Sequence, residues 1–404
     1  MPRFRPKDAR ELEGLVSWAA GDGEGLEILG GGTKRGLGRP VEAPHLLDMT
    51  AFSGIQAYEP EELVLTAKAA TPLTEIEAIL GRAEQMLAFE PGDWGPLLCE
   101  AAGRQSLGGM LACNLAGPRR IKQGAARDHL LGFHAVSGRG EAFKAGGRVV
   151  KNVTGYDLSK LMAGSYGTLA VLTEVTVKVL PRPEVTGTLV LSGLDDQHAV
   201  AAMTQALNSP HEVCGAAHLP SASVAAVLPG AGRAATLMRL EGPRPSVEAR
   251  VAALRQELRD FGAAEQLLDE AGALAWRALA DVRPFAAEPE WVVWRISVAP
   301  QSGPTVAAAI AAALDARIFY DWGGGLVWCA LAADAEADGG STVVRAAAKA
   351  AAGHATLVRA SAQLRGRIPV FEPQAPALEA LSRRIKESFD PKRILNPGRM
   401  YRDL

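Results

Sequence analysis

Five glycines stand among nine residues in the string GGGTKRGLG, residues 30–38, which directly follows the apolar run LEIL. Consecutive glycines after a strand let backbone N–H groups turn inward together and form a concave nest for an anion such as a pyrophosphate. Thr33 adds a hydroxyl to such a nest, and Lys34 adds a positive charge. An isolated string of this kind is equally typical of a hairpin turn with solvated basic residues. It matches neither GxGxxG at the start of a βαβ unit nor the GKS or GKT of a P-loop, so a nicotinamide-dependent enzyme is disfavoured.

Two further glycine-rich segments favour an extended ligand. SLGGMLACNLAGPRRIKQGAARDHLLG, residues 106–132, contains adjacent glycines, a short helical stretch and an Arg-Asp pair that enters a strand. In KNVTGYDLSKLMAGSYGTLAVLTE, residues 151–174, Asp157 is predicted to cap a short helix that ends at Gly164. Each segment alone has an ordinary explanation, such as close packing, an N-cap or a surface ion pair. Together, the three loops that expose backbone indicate an elongated ligand.

The composition narrows the class of protein. The chain has 404 residues, so two or three domains are expected, and a net charge of -2 with a pI near 6.4 argues against a nucleic-acid surface. The four cysteines are scattered without a CxxC pair, which gives neither a zinc site nor ligands for an iron–sulfur cluster. The charged N-terminus has no apolar signal segment behind it, and the Ala-rich windows are short for a membrane span. The sequence therefore predicts a cytoplasmic protein with no metal, nucleic-acid partner or transmembrane segment.

Hydrophobic periodicity predicts two regions that each mix helices and strands. Residues 8–20 have the apolar spacing of a helix, and TLAVLTEVTVKVL, residues 168–180, alternates as a half-buried strand. Thr71 and Pro72 are expected to cap and open a second helix. Within 291–359 the order is strand, helix, two strands, helix, strand, as in a split βαβ unit, which favours an antiparallel sheet.

The predicted domains follow from the breaks in these patterns. PRPE, residues 181–184, ends the alternation and marks a boundary. The tail FDPKRILNPGRMY is irregular but so specific in residue type that docking, rather than fraying, is expected. We expect domains at 1–182 and 183–370, and a C-terminal segment, 371–404, that returns to the first domain.

The order of these motifs resembles the FAD-linked oxidase family with the vanillyl-alcohol-oxidase, or PCMH-type, fold. More narrowly, the chain is similar to the family of FAD-binding E subunits of bacterial glycolate oxidase, including WRISV at 294–298 and DWGGGLVW at 321–328. The resemblance implies an α+β fold with a PCMH-type FAD-binding domain of two α+β subdomains. It also implies a smaller α+β cap-like domain around an antiparallel sheet.

The resemblance also implies which residues hold FAD. The first loop corresponds to the pyrophosphate-binding loop, and later segments line the flavin, contact it or pack against it, with Asn396 near the isoalloxazine. The positions are Gly30, Gly31, Gly32, Thr33, Lys34, Ser106, Leu107, Gly108, Gly109, Asn114, Gly117, Arg127, Asp128, Gly164, Gly167, Thr168, Val171 and Asn396. Relatives with covalent FAD often carry a histidine in the first loop. This loop ends Gly-Thr-Lys, so we expect non-covalent FAD.

The catalytic residues are harder to assign. Relatives that oxidise D-2-hydroxy acids have His-rich motifs of the types HGDGNLH and HGEHG, and neither is present here. His129 and His134 flank a predicted buried strand and are interpreted as packing residues rather than bases. Arg295, inside the apolar strand WVVWRISV, is the best candidate for a cation that holds a substrate carboxylate. An arginine there is equally able to snorkel or to pair with an acid, and Asp321 and Trp322 are weaker candidates.

Three hypotheses follow. The first is the FAD-binding subunit of a glycolate oxidase complex, which oxidises glycolate to glyoxylate together with a companion D-type flavoprotein and an iron–sulfur F-type subunit. The second is a self-sufficient FAD dehydrogenase of a small 2-hydroxy acid, with Arg295 on the carboxylate. The third is a structural subunit that carries the flavin without turning over substrate.

Overall fold

The computed structural model describes residues 1–147, 156–332 and 337–403, so KNVTG at 151–155 lies outside the described residues. The chain divides into two compact units. The first unit comprises Met1–Leu115, Gly124–Arg182 and Pro369–Leu404, and the second comprises Ala116–Gln123 and Pro183–Ile368.

The elements before residue 183 are mostly short. The strands are β1 (Arg3–Phe4), β2 (Leu26–Leu29), β3 (His45–Asp48), β4 (Ile55–Glu59), β5 (Val64–Lys68), β6 (Gln85–Met86), β7 (Leu130–Ser137), β8 (Ala142–Gly146), β9 (Ala170–Lys178) and β10 (Leu180–Pro181). The helices are α1 (Ala9–Asp22), α2 (Leu73–Arg82), α3 (Leu107–Cys113), α4 (Arg120–Gln123), α5 (Ala126–His129) and α6 (Leu158–Met162).

The remaining elements include longer helices. The strands are β11 (Val185–Ser192), β12 (Gly215–Leu219), β13 (Ala235–Gly242), β14 (Ala264–Leu268), β15 (Val292–Ser297), β16 (Ala316–Asp321), β17 (Leu326–Leu331) and β18 (His354–Arg359). The helices are α7 (Asp196–Asn208), α8 (Ser221–Val224), α9 (Arg244–Glu257), α10 (Asp269–Ala280), α11 (Gly303–Ala311), α12 (Ser341–Ala350), α13 (Ala362–Arg367) and α14 (Pro376–Phe389).

The first unit contains a parallel sheet of order β1-β3-β2 and an antiparallel sheet of order β4-β5-β9-β7-β8. The predicted helix at 8–20 is confirmed as α1: the Asp8 carboxylate accepts from the Glu11 N–H, and Gly23 ends the helix with a φ of 72°. The predicted half-buried strand is confirmed as β9, which buries Val171, Val175 and Val177. The glycine loop at 30–38 follows β2 and the loop with Gly164 and Gly167 precedes β9, so these strands fix where the two loops lie.

The predicted cap at Thr71 is wrong. Helix α2 begins at Leu73 after Pro72 and has no side-chain cap hydrogen bond. The Thr71 hydroxyl instead donates to the Lys68 carbonyl at 2.6 Å and accepts from the Gly54 N–H at 2.9 Å. Burial explains the difference, because Thr71 is fully buried and its hydroxyl ties two loops together rather than closing a helix end.

The second unit is built on one antiparallel sheet of order β14-β11-β13-β12-β16-β17-β15-β18. The predicted order within 291–359 is confirmed as β15, α11, β16, β17, α12 and β18. Helices α7 and α9 pack on the sheet through buried residues such as Met203 and Leu254, which join Met238 of β13 in one apolar cluster. Strand β14, at the edge, is absent from the sequence interpretation.

The irregular C-terminal segment packs within the first unit. Asp390 is fully buried, and its carboxylate accepts from the N–H groups of Ile394 at 3.1 Å and Leu395 at 2.8 Å. The buried Lys386 ammonium donates to the same carboxylate at 2.8 Å and to the Thr168 carbonyl at 2.6 Å. Leu395 then forms a parallel bridge with Leu26 at the start of β2. The buried ion pair therefore fixes the turn that supports the strand before the glycine loop.

Asp390→Ala is expected to destabilise the FAD-free chain by about 3–5 kcal/mol, because it leaves the Lys386 ammonium buried without its carboxylate. The free energy of unfolding in urea measures this change. Glu379→Ala is the matched control, since Glu379 and Arg383 form a pair with the same i,i+4 spacing on α14 at 2.8 Å, but both side chains are about half exposed. The control is expected to cost about 0.3–0.5 kcal/mol. Equal losses for the two variants would contradict the role given to the buried pair.

Candidate cofactor-binding site

A cleft in the first unit is formed by the loop after β2, helix α3, the turn before β9 and the C-terminal segment. Its empty volume, counted with the solvent at its mouth, is about 760 Å³. The lining residues are Ile28, Leu29, Gly30, Gly31, Gly32, Thr33, Lys34, Arg35, Met49, Ala69, Ala70, Ser106, Gly108, Gly109, Ala112, Cys113, Tyr166, Gly167, Ala170, Leu172, Asn396 and Arg399. The glycine loop predicted from the sequence thus forms one wall of a real cleft.

The glycine loop is shaped by close packing as well as by backbone conformation. A Cβ at Gly31 would overlap the carbonyl oxygen of Arg104, so the loop lies directly against that backbone. Gly32 has a φ of 81°, which favours glycine. Within the described ranges, the N–H groups of 31–34 donate to no backbone or side-chain acceptor. These donors and the bare backbone fit an anionic group placed in the cleft.

The charges in the cleft favour an anion. Three cations line it, and no carboxylate does among the described lining residues. The Arg35 guanidinium is neutralised by a bidentate pair with Glu27, both contacts at 2.7 Å. The Lys34 ammonium, by contrast, contacts the neutral oxygens of Thr33 at 3.3 Å and Gln105 at 3.2 Å. Arg399 donates to the Lys34 carbonyl at 2.5 Å. Lys34 and Arg399 are both nearly buried, so an anion in the cleft would compensate their charge.

Burial changes the ionisation of the groups around this wall. It lowers the pKa of Lys34, opposed by the neighbouring Cys113 and Asp93. It also lowers the pKa of Arg399 and raises the pKa of the Cys113 thiol, with Lys34 and Arg399 acting in the opposite direction on Cys113. The thiol therefore stays neutral, and the cations provide the charge of the cleft.

Asn396, in the C-terminal segment, connects two other segments that line the cleft through hydrogen bonds of its side chain. Its side-chain oxygen accepts from the Ile28 N–H at 2.8 Å, and its amide nitrogen donates to the Tyr166 carbonyl at 2.7 Å. Ile28 lies in β2, just before the glycine loop, and Tyr166 lies in the turn before β9. Asn396 thus joins three separate segments of the chain at one point.

Ten of the predicted cofactor residues line the cleft. They are Gly30, Gly31, Gly32, Thr33, Lys34, Ser106, Gly108, Gly109, Gly167 and Asn396. Ser106 also caps α3, since its side chain accepts from the Gly109 N–H. Their contact with the cofactor remains a prediction.

The other predicted residues lie outside this lining in the described part of the chain. Leu107 and Val171 are buried in the core, which explains their apolar side chains without a ligand. Asn114 ends α3 with a φ of 50°, and its side chain accepts from the Arg127 N–H at 3.0 Å. Gly117 belongs to the second unit. These positions support the neighbouring segments of the fold.

The remaining four predicted positions are Arg127, Asp128, Gly164 and Thr168. The Asp128 carboxylate accepts from the Ala125 N–H at 2.9 Å and lies 3.8 Å from Arg127, with both side chains about half exposed. Gly164 follows α6, which the Asp157 carboxylate caps as predicted. The Thr168 hydroxyl donates to the Ser165 carbonyl at 2.7 Å.

The sequence interpretation missed several lining residues, of which Arg399 and Tyr166 matter most. Arg399 stands three positions after Asn396 in NPGR, so its type and place gave a usable signal. Tyr166 stands in GSYGTL with a φ of 56°, which is uncommon for a bulky side chain. Cys113 was seen only as a scattered thiol, because nothing in its sequence neighbours indicates a cleft.

The catalytic candidates are not among these lining residues. Arg295 is on β15 in the second unit, half-buried, with its guanidinium 4.8 Å from the centre of the Trp322 ring. His129 is buried, and its ring centre lies 5.3 Å from that of Phe89, as expected for a packing residue. His134 is exposed on β7, so its interpretation as a packing residue is wrong.

Other binding classes find little support in the described residues. No group of His, Cys, Asp or Glu side chains within them could hold a metal ion. None of the helices formed by residues 1–147, 156–332 and 337–403 has the length and apolar character needed to cross a bilayer.

Comparison with known proteins defines the class. Residues 3–146 match the family described as FAD binding domain, and residues 371–400 match FAD linked oxidases, C-terminal domain. The chain belongs to the FAD-linked oxidase family, and FAD is its cofactor. The second matched region lies in the first unit, as does the first region apart from residues 116–123, and together they contain most of the residues that line the cleft.

Relatives in this family place the chain more closely. It is 36% identical, over 96% of both chains, to glycolate oxidase subunit GlcE of Escherichia coli K12. It is 28% identical to glycolate oxidase subunit GlcD of Bacillus subtilis, over 73% of this chain and 68% of that protein. The chain is an FAD-linked oxidoreductase that is similar to glycolate oxidase subunits.

Solved structures share the fold. p-Cresol methylhydroxylase aligns with a TM-score of 0.77 at 14% identity, covering 99% of this chain and 88% of that one. Alkyldihydroxyacetonephosphate synthase aligns with a TM-score of 0.71 at 19% identity, covering 98% and 76%. The predicted α+β architecture of the PCMH type is therefore confirmed.

Gly31→Val is expected to weaken FAD binding at least about hundredfold. The side chain would push the loop away from Arg104, and a misplaced loop loses several charge-assisted hydrogen bonds of about 1.5–3 kcal/mol each. Flavin fluorescence during equilibrium dialysis measures the affinity. Gly14→Val is the control, because no atom lies within 4 Å of a Cβ built there. Full FAD retention by Gly31→Val would show that the loop does not hold the cofactor.

Lys34→Met is expected to lower FAD affinity about ten- to hundredfold, the usual range for one hydrogen bond to a charged group. The wild-type affinity is expected to fall as pH rises through the lowered pKa of Lys34, because a bound diphosphate stabilises the protonated ammonium. The variant should lose that pH dependence. Lys160→Met removes an exposed lysine paired with Asp157 and serves as the control. An unchanged pH profile in Lys34→Met would remove Lys34 from the anion site.

Proposed function

We propose that this chain is the FAD-binding subunit of a glycolate oxidase, or glycolate dehydrogenase, complex that oxidises glycolate to glyoxylate. The carrying observation is that the similarity to the Escherichia coli subunit runs through 96% of both chains, including the cleft and the second unit. When bound, FAD accepts the two electrons removed from the hydroxyl-bearing carbon. The chain's own residues hold the cofactor and set the charge around it.

The cleft supports this proposal residue by residue. The N–H groups of the glycine loop and the cations of Lys34 and Arg399 would hold the diphosphate. Asn396 keeps the loop and the Tyr166 turn in place through its two hydrogen bonds. We propose non-covalent binding, since no histidine is found among the described lining residues and the loop reads Gly-Thr-Lys. Acid precipitation that leaves flavin on the polypeptide would contradict this.

The proposed partners are a D-type flavoprotein subunit and an iron–sulfur F-type subunit. The name of the Bacillus subtilis relative supports a divided enzyme, because that protein is also a glycolate oxidase subunit and matches this chain over most of its length. The missing His-rich motifs support placing the catalytic base on the companion flavoprotein. We include a cytoplasmic location in the proposal, which the free cysteines favour.

The test is an anaerobic visible spectrum of the FAD-loaded chain before and after glycolate is added, with acetate as the control that lacks the 2-hydroxyl group. The flavin band is expected to persist with this chain alone and to bleach when the companion subunits are added. Bleaching by glycolate alone would establish the self-sufficient dehydrogenase, with Arg295 as its carboxylate ligand to be tested by Arg295→Met. A band that persists with all subunits present would identify a non-catalytic flavin carrier.

A further inference from the structure

Residues 31–34 of the glycine loop line the cleft although their N–H groups have no acceptor among the described residues. A backbone donor without a partner costs free energy, so a loop that was free to relax would turn these groups toward other acceptors. Other contacts must therefore keep the loop in the form that presents its donors to the cleft.

An ion pair joins the two ends of this part of the loop. Glu27 lies on β2, just before the glycines, and Arg35 directly follows Lys34. Nε and Nη2 of Arg35 donate to Oε1 and Oε2 of Glu27, both at 2.7 Å. Two parallel bonds between a guanidinium and a carboxylate fix the orientation of both groups as well as the distance between them. The two residues are eight positions apart, so the pair closes the chain between them into a short loop.

The pair is anchored at the glutamate. The Glu27 side chain is only 9% exposed and belongs to a strand that pairs with β3, whereas the Arg35 side chain is 53% exposed. Breaking the pair would leave a buried carboxylate without a cation, which is strongly unfavourable. The rigid strand therefore holds the guanidinium, and with it the end of the loop, in one place.

Other contacts limit the loop from different sides. The Arg399 guanidinium donates to the Lys34 carbonyl at 2.5 Å, and a Cβ at Gly31 would overlap the carbonyl oxygen of Arg104. These contacts come from residues distant in the chain and set the outer limits of the loop. In the described part of the chain, the ion pair is the side-chain contact that joins β2 to the residue after Lys34.

We propose that Glu27 and Arg35 are positioning residues for the cofactor: their ion pair closes the glycine loop in the arrangement that presents its N–H groups and the Lys34 ammonium to the FAD diphosphate. A loop that already has its bound form loses less conformational entropy on binding, so the affinity is higher. This inference rests on the proposed role of the glycine loop in holding the diphosphate. It gives a function to Arg35, the cleft cation whose charge Glu27 neutralises.

The first test is a double-mutant cycle on the full-length chain, with FAD affinity measured by equilibrium dialysis. Glu27→Gln and Arg35→Met are each expected to weaken binding about tenfold, and the double variant no further, because both substitutions remove one shared contact. Arg3→Met is the matched control, since Arg3 is 58% exposed and pairs at 2.8 Å with the buried carboxylate of Asp48, on the neighbouring strand β3. The control should stay within about twofold of the wild type.

The signs of the two single substitutions separate positioning from direct charge. If Arg35 itself held the diphosphate, Arg35→Met would weaken FAD binding, whereas Glu27→Gln would strengthen it by removing a competing carboxylate. Opposite signs would therefore overturn the proposal. Additive losses in the double variant, or wild-type affinity in both single variants, would overturn it as well.

Proteolysis of the FAD-free chain tests the closed loop without the cofactor. Lys34 is buried, so endoproteinase Lys-C reaches the bond after it when the loop opens. Cleavage there, identified by mass spectrometry, is expected to be about tenfold faster in Glu27→Gln and in Arg35→Met, because the rate follows the population of the open form. Arg3→Met should be cleaved there at the wild-type rate.

Two results of the proteolysis would contradict a closing role for the pair. One is an unchanged rate after Lys34 in both variants, and the other is equal acceleration at every lysine, which would show general destabilisation. A wild-type chain that binds no FAD is a distinct result that contradicts the proposed function, and the cleavage rates then still decide whether the pair closes the loop.

Discussion

The buried carboxylate of Asp390 is the constraint on which the cofactor site depends. It gathers the Lys386 ammonium and two backbone N–H groups of the C-terminal turn, so nearly all of its hydrogen-bonding capacity is used inside the protein. That turn presents Leu395 to β2 and Asn396 to Ile28, directly before the glycine loop. The last residues of the chain thereby set the position of a loop near its beginning. Without the Asp390 contacts the chain would still contain the glycine string, but the position of the loop would no longer be fixed.

The cleft is prepared electrostatically for its cofactor. Lys34 and Arg399 are nearly buried and meet neutral oxygens, while Arg35 beside them is already neutralised by Glu27. Burying a cation without a carboxylate partner costs free energy. An anion that binds beside the cation removes this cost, and its binding is stronger for that reason. The N–H groups of residues 31–34 in the glycine loop donate to no acceptor among the described residues, so they also favour an anion. The backbone donors and the cations therefore both favour an anionic ligand in the cleft. The arrangement, which costs free energy in the FAD-free chain, is therefore suited to an anionic cofactor.

In the second unit, basic residues pair with a carboxylate or stack on an aromatic ring. Trp322 is contacted by Arg120 and Arg295, and Glu241 by Arg119 and Arg239. Two motifs that carried the narrower family resemblance, WRISV and DWGGGLVW, therefore meet each other and Arg120 at Trp322 within the second unit.

The sequence by itself determined the features that depend on local spacing. The glycine loop, the alternating strand β9, the Asp157 cap and the strand order within 291–359 follow from neighbouring residues, and the family followed from long motifs. Only the tertiary structure showed that Arg399 and Tyr166 line the cleft. It also showed that Gly117 belongs to the second unit and that Thr71 has a role other than capping. The physical reason is separation along the chain: Asn396 bonds a residue 368 positions away, and no periodicity reports such a contact. Burial and partner choice are decided when distant segments pack, so residue type alone cannot fix them.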